Sequence, residues 1–261
     1  MLLEDAKVLS HERLAGAYFF LRLETPGIAN EAAPGQFVHL RVPALEPTAL
    51  RRPFSICDAD PRAGTLDILY KQVGRGTRAM EGLKTGDTVS MMGPLGNTFP
   101  IPDANEIPVF VAGGFGVAPL LFFAKRNGGK RAVLFVGGRS ADDILLMGEF
   151  AEIPGVEIVV CTDDGSVGEK GFVTVALDKW LDDPIKHGRL RPAMYCCGPD
   201  PLLKAVDERA RARGLTAWLS LDRRMGCAVG ACLGCVVKTK DGAQVRVCKD
   251  GPVFRGGAVD W

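Results

Sequence analysis

The 261 residues are 47% hydrophobic and 24% charged, with 32 Gly and 17 Pro, a turn-rich globular composition that excludes a disordered or fibrous chain. Lys and Arg number 32 against 31 Asp and Glu, a net charge of +1, so bulk charge gives no footing for nucleic acid or an anionic membrane surface. The N-terminus meets acid at Glu4 and Asp5 with no apolar core region and reads as no secretory signal. The longest apolar runs, Ile107–Ala112 and Ala118–Ala124, are too short to span a bilayer. These features point to a cytoplasmic chain in a reducing compartment, where disulfides rarely persist.

Residues 1–100 read as short strands broken by turns. Alternating runs at Gln36–Val42 and Thr65–Lys71 put apolar side chains on one face, and Pro34-Gly35, Ala63-Gly64 and Thr85-Gly86-Asp87 punctuate them. Many short strands at regular spacing predict an antiparallel β-barrel. Within it, after the proline-rich segment that follows Val42, Arg51-Arg52-Pro53-Phe54-Ser55-Ile56 offers a guanidinium, an aromatic face and a hydroxyl. These pieces suit a flavin nucleotide, although a plain strand with one exposed Arg reads the same way. Leu69-Tyr70-Lys71 follows, then Gly74-Arg75-Gly76-Thr77, where bare backbone and a helix start at Thr77 could meet a pyrophosphate.

Near Pro100 the pattern changes to continuous apolar runs at Ile107–Ala112, Ala132–Val136, Val156–Val160 and Ala193–Cys197, with helical stretches between them, notably Pro201–Arg213. Strands buried on both faces that alternate with helices predict a parallel α/β domain over residues 101–215. Gly113-Gly114-Phe115-Gly116 follows the first run and departs from the dinucleotide fingerprint, because Pro119 stands in place of its third glycine. The turn still brings bare backbone to the carboxyl edge of the sheet, where Cys197-Gly198-Pro199 also falls and where ligands of such sheets collect.

Residues 216–261 form a cysteine-bearing tail with the spacing Cys227-x4-Cys232-x2-Cys235-x12-Cys248. C-x4-C-x2-C with a remote fourth Cys is the plant-type ferredoxin arrangement for a 2Fe–2S cluster. Zinc usually takes paired C-x2-C knuckles, of which only one is present, so spacing favours the cluster and leaves zinc or unligated thiols as alternatives. Cys57, Cys161, Cys196 and Cys197 are scattered among strands and read as small buried hydrophobes. The three histidines, His11, His39 and His187, stand beside no candidate nucleophile or acid, which fits a chain that moves electrons and leaves proton abstraction to a partner. The tail carries seven Lys or Arg against four Asp from Leu221 onward, a surplus that could steer docking.

Together these pieces resemble the ferredoxin–NADP reductase superfamily over essentially the whole chain. Met225–Cys235 with Val247–Phe254 and Trp261 is similar to the electron-transfer subunits of class 1B dihydroorotate dehydrogenases. That resemblance implies an FAD-binding barrel over 1–100, an NAD-binding domain over 101–215 and a 2Fe–2S subdomain over 216–261. It implies flavin contacts at Arg52, Pro53, Phe54 and Ser55, at Leu69, Tyr70 and Lys71, and at Gly76 and Thr77. Nicotinamide contacts are implied at Gly114, Gly116, Cys197, Gly198 and Pro199, and cluster ligation at Cys227, Cys232, Cys235 and Cys248. Gly93–Asn97 matches a loop of the family after the barrel. The implied activity passes electrons from FMN in a catalytic partner through the cluster and FAD to NAD⁺ in pyrimidine biosynthesis, in a heterotetramer of two of each subunit. The related alternative is a flavin and iron–sulfur subunit of a hydrogenase or of an NAD(P)H–ferredoxin oxidoreductase. This chain departs from the family at Ala112 and Ala228, where Gly is common, and at Leu221–Arg224, where Glu is more usual. Arg139 beside Asp142 and Asp143 leaves the choice between NAD and NADP to the resemblance.

Overall fold

The computed structural model describes residues 1–41 and 50–261; Val42, expected to end the first alternating run, and the proline-rich segment after it lie outside the described residues. Six antiparallel strands, β1 (Leu2–Arg13), β2 (Tyr18–Glu24), β3 (Phe37–Leu40), β4 (Arg52–Asp60), β5 (Thr65–Lys71) and β6 (Thr88–Leu95), close into a barrel in the order β1-β2-β5-β4-β3-β6. Closure leaves no unpaired edge. The period-two pattern is the cause: Ala6, Val8, Leu21 and Leu23 point into the core, while Asp5, Lys7, Arg22 and Glu24 point to water. Two short helices, α1 (Pro26–Glu31) and α2 (Arg75–Met80), interrupt the strands. β3 is buried on both faces. Val38 and Leu40 fill the barrel, whereas Phe37 packs outward in one cluster with Met225, Cys235 and Cys248 of the tail.

The second unit is a sheet of β7 (Glu106–Gly113), β8 (Ala132–Gly138), β9 (Val156–Thr162), β10 (Glu169–Lys170), β11 (Arg191–Cys197) and β12 (Thr216–Ser220), parallel throughout in the order β10-β9-β8-β7-β11-β12. Helices α3 (Val117–Arg126), α4 (Met147–Ala151), α5 (Val173–Leu181), α6 (Pro184–His187) and α7 (Asp200–Ala212) connect and cover it. β7, β8 and β11 are buried as their apolar runs predict. β9 is not: Val156 and Ile158–Val160 are half-buried, because only the two-residue β10 lies beyond it. The order turns back at β7, whose neighbours are β8 and β11, so a crevice opens at the carboxyl ends of β7 and β11. Phe122 of α3 is fully buried in the barrel's own core, which locks the two units together.

Residues 216–220, read from the sequence as the start of the tail, supply β12 of the parallel sheet. The chain then forms a loop, a hairpin of β13 (Val236–Lys238) and β14 (Gln244–Arg246), a helical turn α8 (Val247–Asp250), and β15 (Val253–Arg255), which pairs antiparallel with β12. Two polar anchors hold this return. The Asn97 amide donates to the Val253 carbonyl at 2.8 Å and accepts from the Val253 N–H at 2.9 Å. Asp207, on the buried face of α7, accepts from the Gly257 N–H at 2.6 Å and from Trp261 Nε1 at 3.0 Å. Burying a carboxyl group costs free energy unless its oxygens are hydrogen-bonded, as both are here. Among the described residues, no helix is long and apolar enough to cross a membrane, and all eight cysteines are free.

Candidate functional site

A cavity of about 800 Å³ opens between the barrel, the carboxyl edge of the parallel sheet and the tail. That is the size of a cofactor site. Arg52, Pro53, Phe54, Ser55, Leu69, Tyr70, Lys71, Gly76, Thr77 and Cys197 all line it. The carboxyl-terminal half of β5 and the start of β4 bring most of them together. Gly76 is required by close approach: a Cβ there would lie 2.6 Å from Arg52 Nε, so its absence lets the guanidinium lie along the wall. Tyr70 stacks on Phe19 at 5.4 Å, meets the edge of Phe54 at 5.8 Å, and bonds His11 Nε2 through its hydroxyl at 2.8 Å. Burial, with a smaller push from Glu81, raises its phenol.

The start of α2 differs from the sequence reading. The helix begins at Arg75, and Thr77 sits in its first turn, where its hydroxyl accepts from the Val73 N–H at 2.9 Å and the Gly74 N–H at 3.1 Å. Thr77 caps the helix from inside, so those two amides are occupied. This corner also brings to the cavity the guanidiniums of Arg75 and of Arg52, whose Nη1 donates to the Leu50 and Arg51 carbonyls.

The nicotinamide-side residues meet at the crevice. β7 and β11 run in register there, with Ala112 beside Cys197. A Cβ on Gly116 would lie 2.2 Å from the Cys197 carbonyl oxygen, so only glycine permits this approach. Gly114, Gly116, Gly198 and Pro199 build the corner without lining the cavity, which Cys197 and Phe115 reach. Burial pushes the Cys197 thiol up to about 12, keeping it protonated at neutral pH.

The four tail cysteines come together as two pairs. The Cys227 sulfur accepts from the Cys232 and Ala231 amides, both at 3.3 Å, and the Cys235 sulfur accepts from the Cys248 amide at 3.4 Å. Desolvation opposes the Cys227 charge, but the amides of Val229, Cys232 and Ala231 outweigh it and hold the thiol down at about 6. Cys248 is pushed up to about 12, first by burial and then by Cys235. Among the described residues, no three His, Cys, Asp or Glu side chains converge on one ion. Two pairs of thiols fit a two-iron cluster, in which each iron takes two thiolates, better than one tetrahedral zinc. Ala228 (φ 58°) and Leu233 (φ 59°) hold left-handed backbone beside the ligands. Such strain costs about 1–3 kcal/mol per residue and collects at ligand clamps.

Ser220, Leu221, Asp222, Arg223, Arg224, Met225 and Pro252 also line the cavity, and sequence reasoning placed none of them there as flavin-site residues. They arrive because β12 ends at the crevice and Leu221 donates its N–H to the Pro252 carbonyl at 3.0 Å. The cavity wall therefore runs through Met225 directly into the cysteine loop.

Three family models match: an oxidoreductase FAD-binding domain over residues 2–99, an oxidoreductase NAD-binding domain over 110–208, and the iron–sulfur cluster binding domain of dihydroorotate dehydrogenase B over 222–260. The "dihydroorotate dehydrogenase B (NAD(+)), electron transfer subunit" of Desulforamulus reducens is 37% identical and that of Bacillus caldolyticus 40% identical, each alignment covering 98% of both chains. A solved NADH-dependent reduced ferredoxin–NADP oxidoreductase, studied for flavin-based electron bifurcation, superposes with a TM-score of 0.85 at 33% identity over 98% of this chain and 90% of that one.

Proposed function

This chain belongs to the family of dihydroorotate dehydrogenase B electron transfer subunits, and from that premise we propose that it carries electrons from a catalytic partner to NAD⁺. FAD supplies hydride exchange with nicotinamide and conversion between one- and two-electron steps, and the 2Fe–2S cluster supplies single-electron transfer. Arg52, Gly76 and Thr77 form the end of the flavin cavity suited to a phosphate group, while Phe54 and Tyr70 give it an aromatic wall. Ser55, Leu69 and Lys71 complete the barrel side. Gly114, Gly116, Cys197, Gly198 and Pro199 admit the nicotinamide at the crevice and exclude bulk there. Cys227 and Cys232 would supply one pair of thiolates to the cluster, and Cys235 and Cys248 the other.

The observation that carries this reading is the continuity of the cavity with the ligand loop. Arg224 and Met225 belong to the cavity wall, and Cys227 follows two residues later. One fold thus places an isoalloxazine-sized space next to two thiol pairs. Asp163 and Asp164 follow the carboxyl end of β9, their N–H groups donating to the Gly138 carbonyl at 3.0 Å and the Arg139 carbonyl at 3.2 Å, and Asp142 lies three residues beyond Arg139. Those acids disfavour a 2′-phosphate and support NAD over NADP. Cys232 and Leu233 are exposed at the outer face of the loop, which supports docking of the partner over this end.

We assign the partner as an FMN-containing dihydroorotate dehydrogenase of roughly 300 residues, in a heterotetramer of two of each subunit, in the cytoplasm. Co-expression and affinity purification test it: an FMN barrel that reduces NAD⁺ with dihydroorotate only when both chains are present supports the assignment. The second reading, an NAD(P)H–ferredoxin oxidoreductase subunit, is favoured by the likeness to the bifurcating enzyme. Recovery of a multi-cluster partner would establish it instead.

A further inference from the structure

Tyr18 on β2, Lys71 at the end of β5 and Asp143 in the 3-10 turn after β8 (Ala141–Asp143) are far apart in sequence, yet meet where the barrel faces the parallel sheet. The Tyr18 hydroxyl donates to Asp143 Oδ1 at 2.5 Å, and Lys71 Nζ donates to the Tyr18 hydroxyl at 2.9 Å and to Asp143 Oδ1 at 3.3 Å. The ammonium also lies over the Tyr18 ring, 4.5 Å from its centroid. The second oxygen of Asp143 accepts from the Arg139 N–H at 3.0 Å, so both oxygens are engaged and the carboxylate cannot turn away. The Asp143 side chain is 14% exposed and that of Lys71 36%, which leaves the pair only partly screened by water. Burial opposes the Asp143 charge, but Tyr18, the Arg139 amide and Lys71 together hold its carboxyl below the usual carboxylate range.

Lys71 also lines the flavin cavity. Its ammonium is turned toward the acid. We infer that Asp143 is a positioning residue for the flavin: by drawing the Lys71 ammonium onto Tyr18 and neutralising it, Asp143 sets how much positive charge the cavity presents and so how readily the bound flavin is reduced. This rests on the cavity holding FAD. A reduced flavin carries more negative charge than an oxidised one, so uncompensated positive charge on the wall favours reduction.

The sign of the effect separates this role from a structural clasp. Asp143→Asn leaves Lys71 uncompensated and shifts the flavin couple toward reduction, about tenfold in its redox equilibrium constant, or about 30 mV for a two-electron couple. Lys71→Met leaves Asp143 uncompensated and shifts it about as far the other way. Asp143→Glu and Tyr18→Phe keep the charges and stay within about threefold of wild type. A structural clasp would give loss of stability in every variant and no opposed shifts.

The experiment is an anaerobic redox titration of purified wild type and variants against reference dyes, followed by flavin absorbance, with released FAD quantified in each. Opposed shifts for Asp143→Asn and Lys71→Met at full FAD content support the inference. Shifts in one direction, or shifts under twofold in both, overturn it. If Asp143→Asn fails to fold, Asp143→Ser is titrated in its place, an upward shift supporting the inference and any other result overturning it. A wild-type chain without FAD refutes the flavin reading itself.

Discussion

The return of the tail to the barrel depends on Asn97, and Asn97→Ala is a direct probe of it. The substitution removes two good hydrogen bonds to Val253, at 2.8 and 2.9 Å, and a longer one from Nδ2 to the Asp250 carbonyl at 3.3 Å. Each bond contributes about 0.5–1.5 kcal/mol net, and Val253 is 3% exposed, so its N–H loses a partner where water does not reach. The sum is about 2–4 kcal/mol, which for a chain of this size lowers the melting temperature by about 4–16 °C. Asn97→Asp keeps the acceptor for the Val253 N–H and loses the donor, so it should give about half the loss. Thermal unfolding of the holoprotein measures the magnitude, and hydrogen exchange over residues 247–255 locates it. Cys248 lies in this segment, so iron should leave the variant faster than wild type. A melting temperature within about 2 °C of wild type, with exchange of the tail unchanged, would refute the reasoning.

Other outcomes follow from the same contacts. His39 is buried, and desolvation lowers its imidazole to about 4 against a smaller opposing pull from the Arg51 and Met225 backbone. Because the folded value lies below the unfolded one of about 6.5, stability is full above about pH 6.5 and falls by about 3 kcal/mol as the pH drops toward 4. Urea midpoints should show that slope in wild type and a flatter one in His39→Leu; a flat wild-type profile from pH 7 to 5 would contradict it. Gly116→Ala forces a Cβ to 2.2 Å from the Cys197 carbonyl oxygen, and this backbone cannot swing away. It should cost about 1–3 kcal/mol and weaken NADH binding about tenfold or more in an anaerobic titration, whereas unchanged affinity would remove Gly116 from the nicotinamide corner. Cys248→Ser should keep FAD and drop iron from about two per chain toward none, so retention of iron in that variant would strike it from the ligand set.

The parts of this molecule that could be read from the sequence are those whose chemistry is local. Cys227, Cys232 and Cys235 fall within one loop, and glycines between them mark its turns. β1 and β2 declared themselves by alternation and β7, β8 and β11 by continuous apolar runs, whereas β3 and β5, whose alternating runs predicted one buried face, are buried on both, His39 and Asp67 included. β9 broke the rule because its exposure depends on how little β10 covers it. Thr77 was expected to open a helix that begins at Arg75, because Gly74 and Gly76 hide which amide is first in the turn. The residues that close the site carried no signal for their contacts. Asn97 meets Val253, Tyr18 meets Asp143 and Asp207 meets Trp261 only after the chain has folded across long separations, and no periodicity or spacing encodes such a meeting. Gly93–Asn97 matched a family loop after the barrel, yet Gly93–Leu95 are the end of β6 itself, and the role of Asn97 in stapling the tail emerged from its hydrogen bonds.

The central claim is that two irons and a flavin sit side by side in this one chain, within reach of NADH. Anaerobic purification followed by iron, acid-labile sulfide and flavin analysis, and then by stepwise addition of NADH, tests it most directly. The account predicts one FAD, about two irons and about two sulfides per chain, with NADH bleaching the flavin and the cluster absorbance together. Stoichiometric zinc with no sulfide, or a flavin that bleaches while a bound cluster stays oxidised, would contradict it.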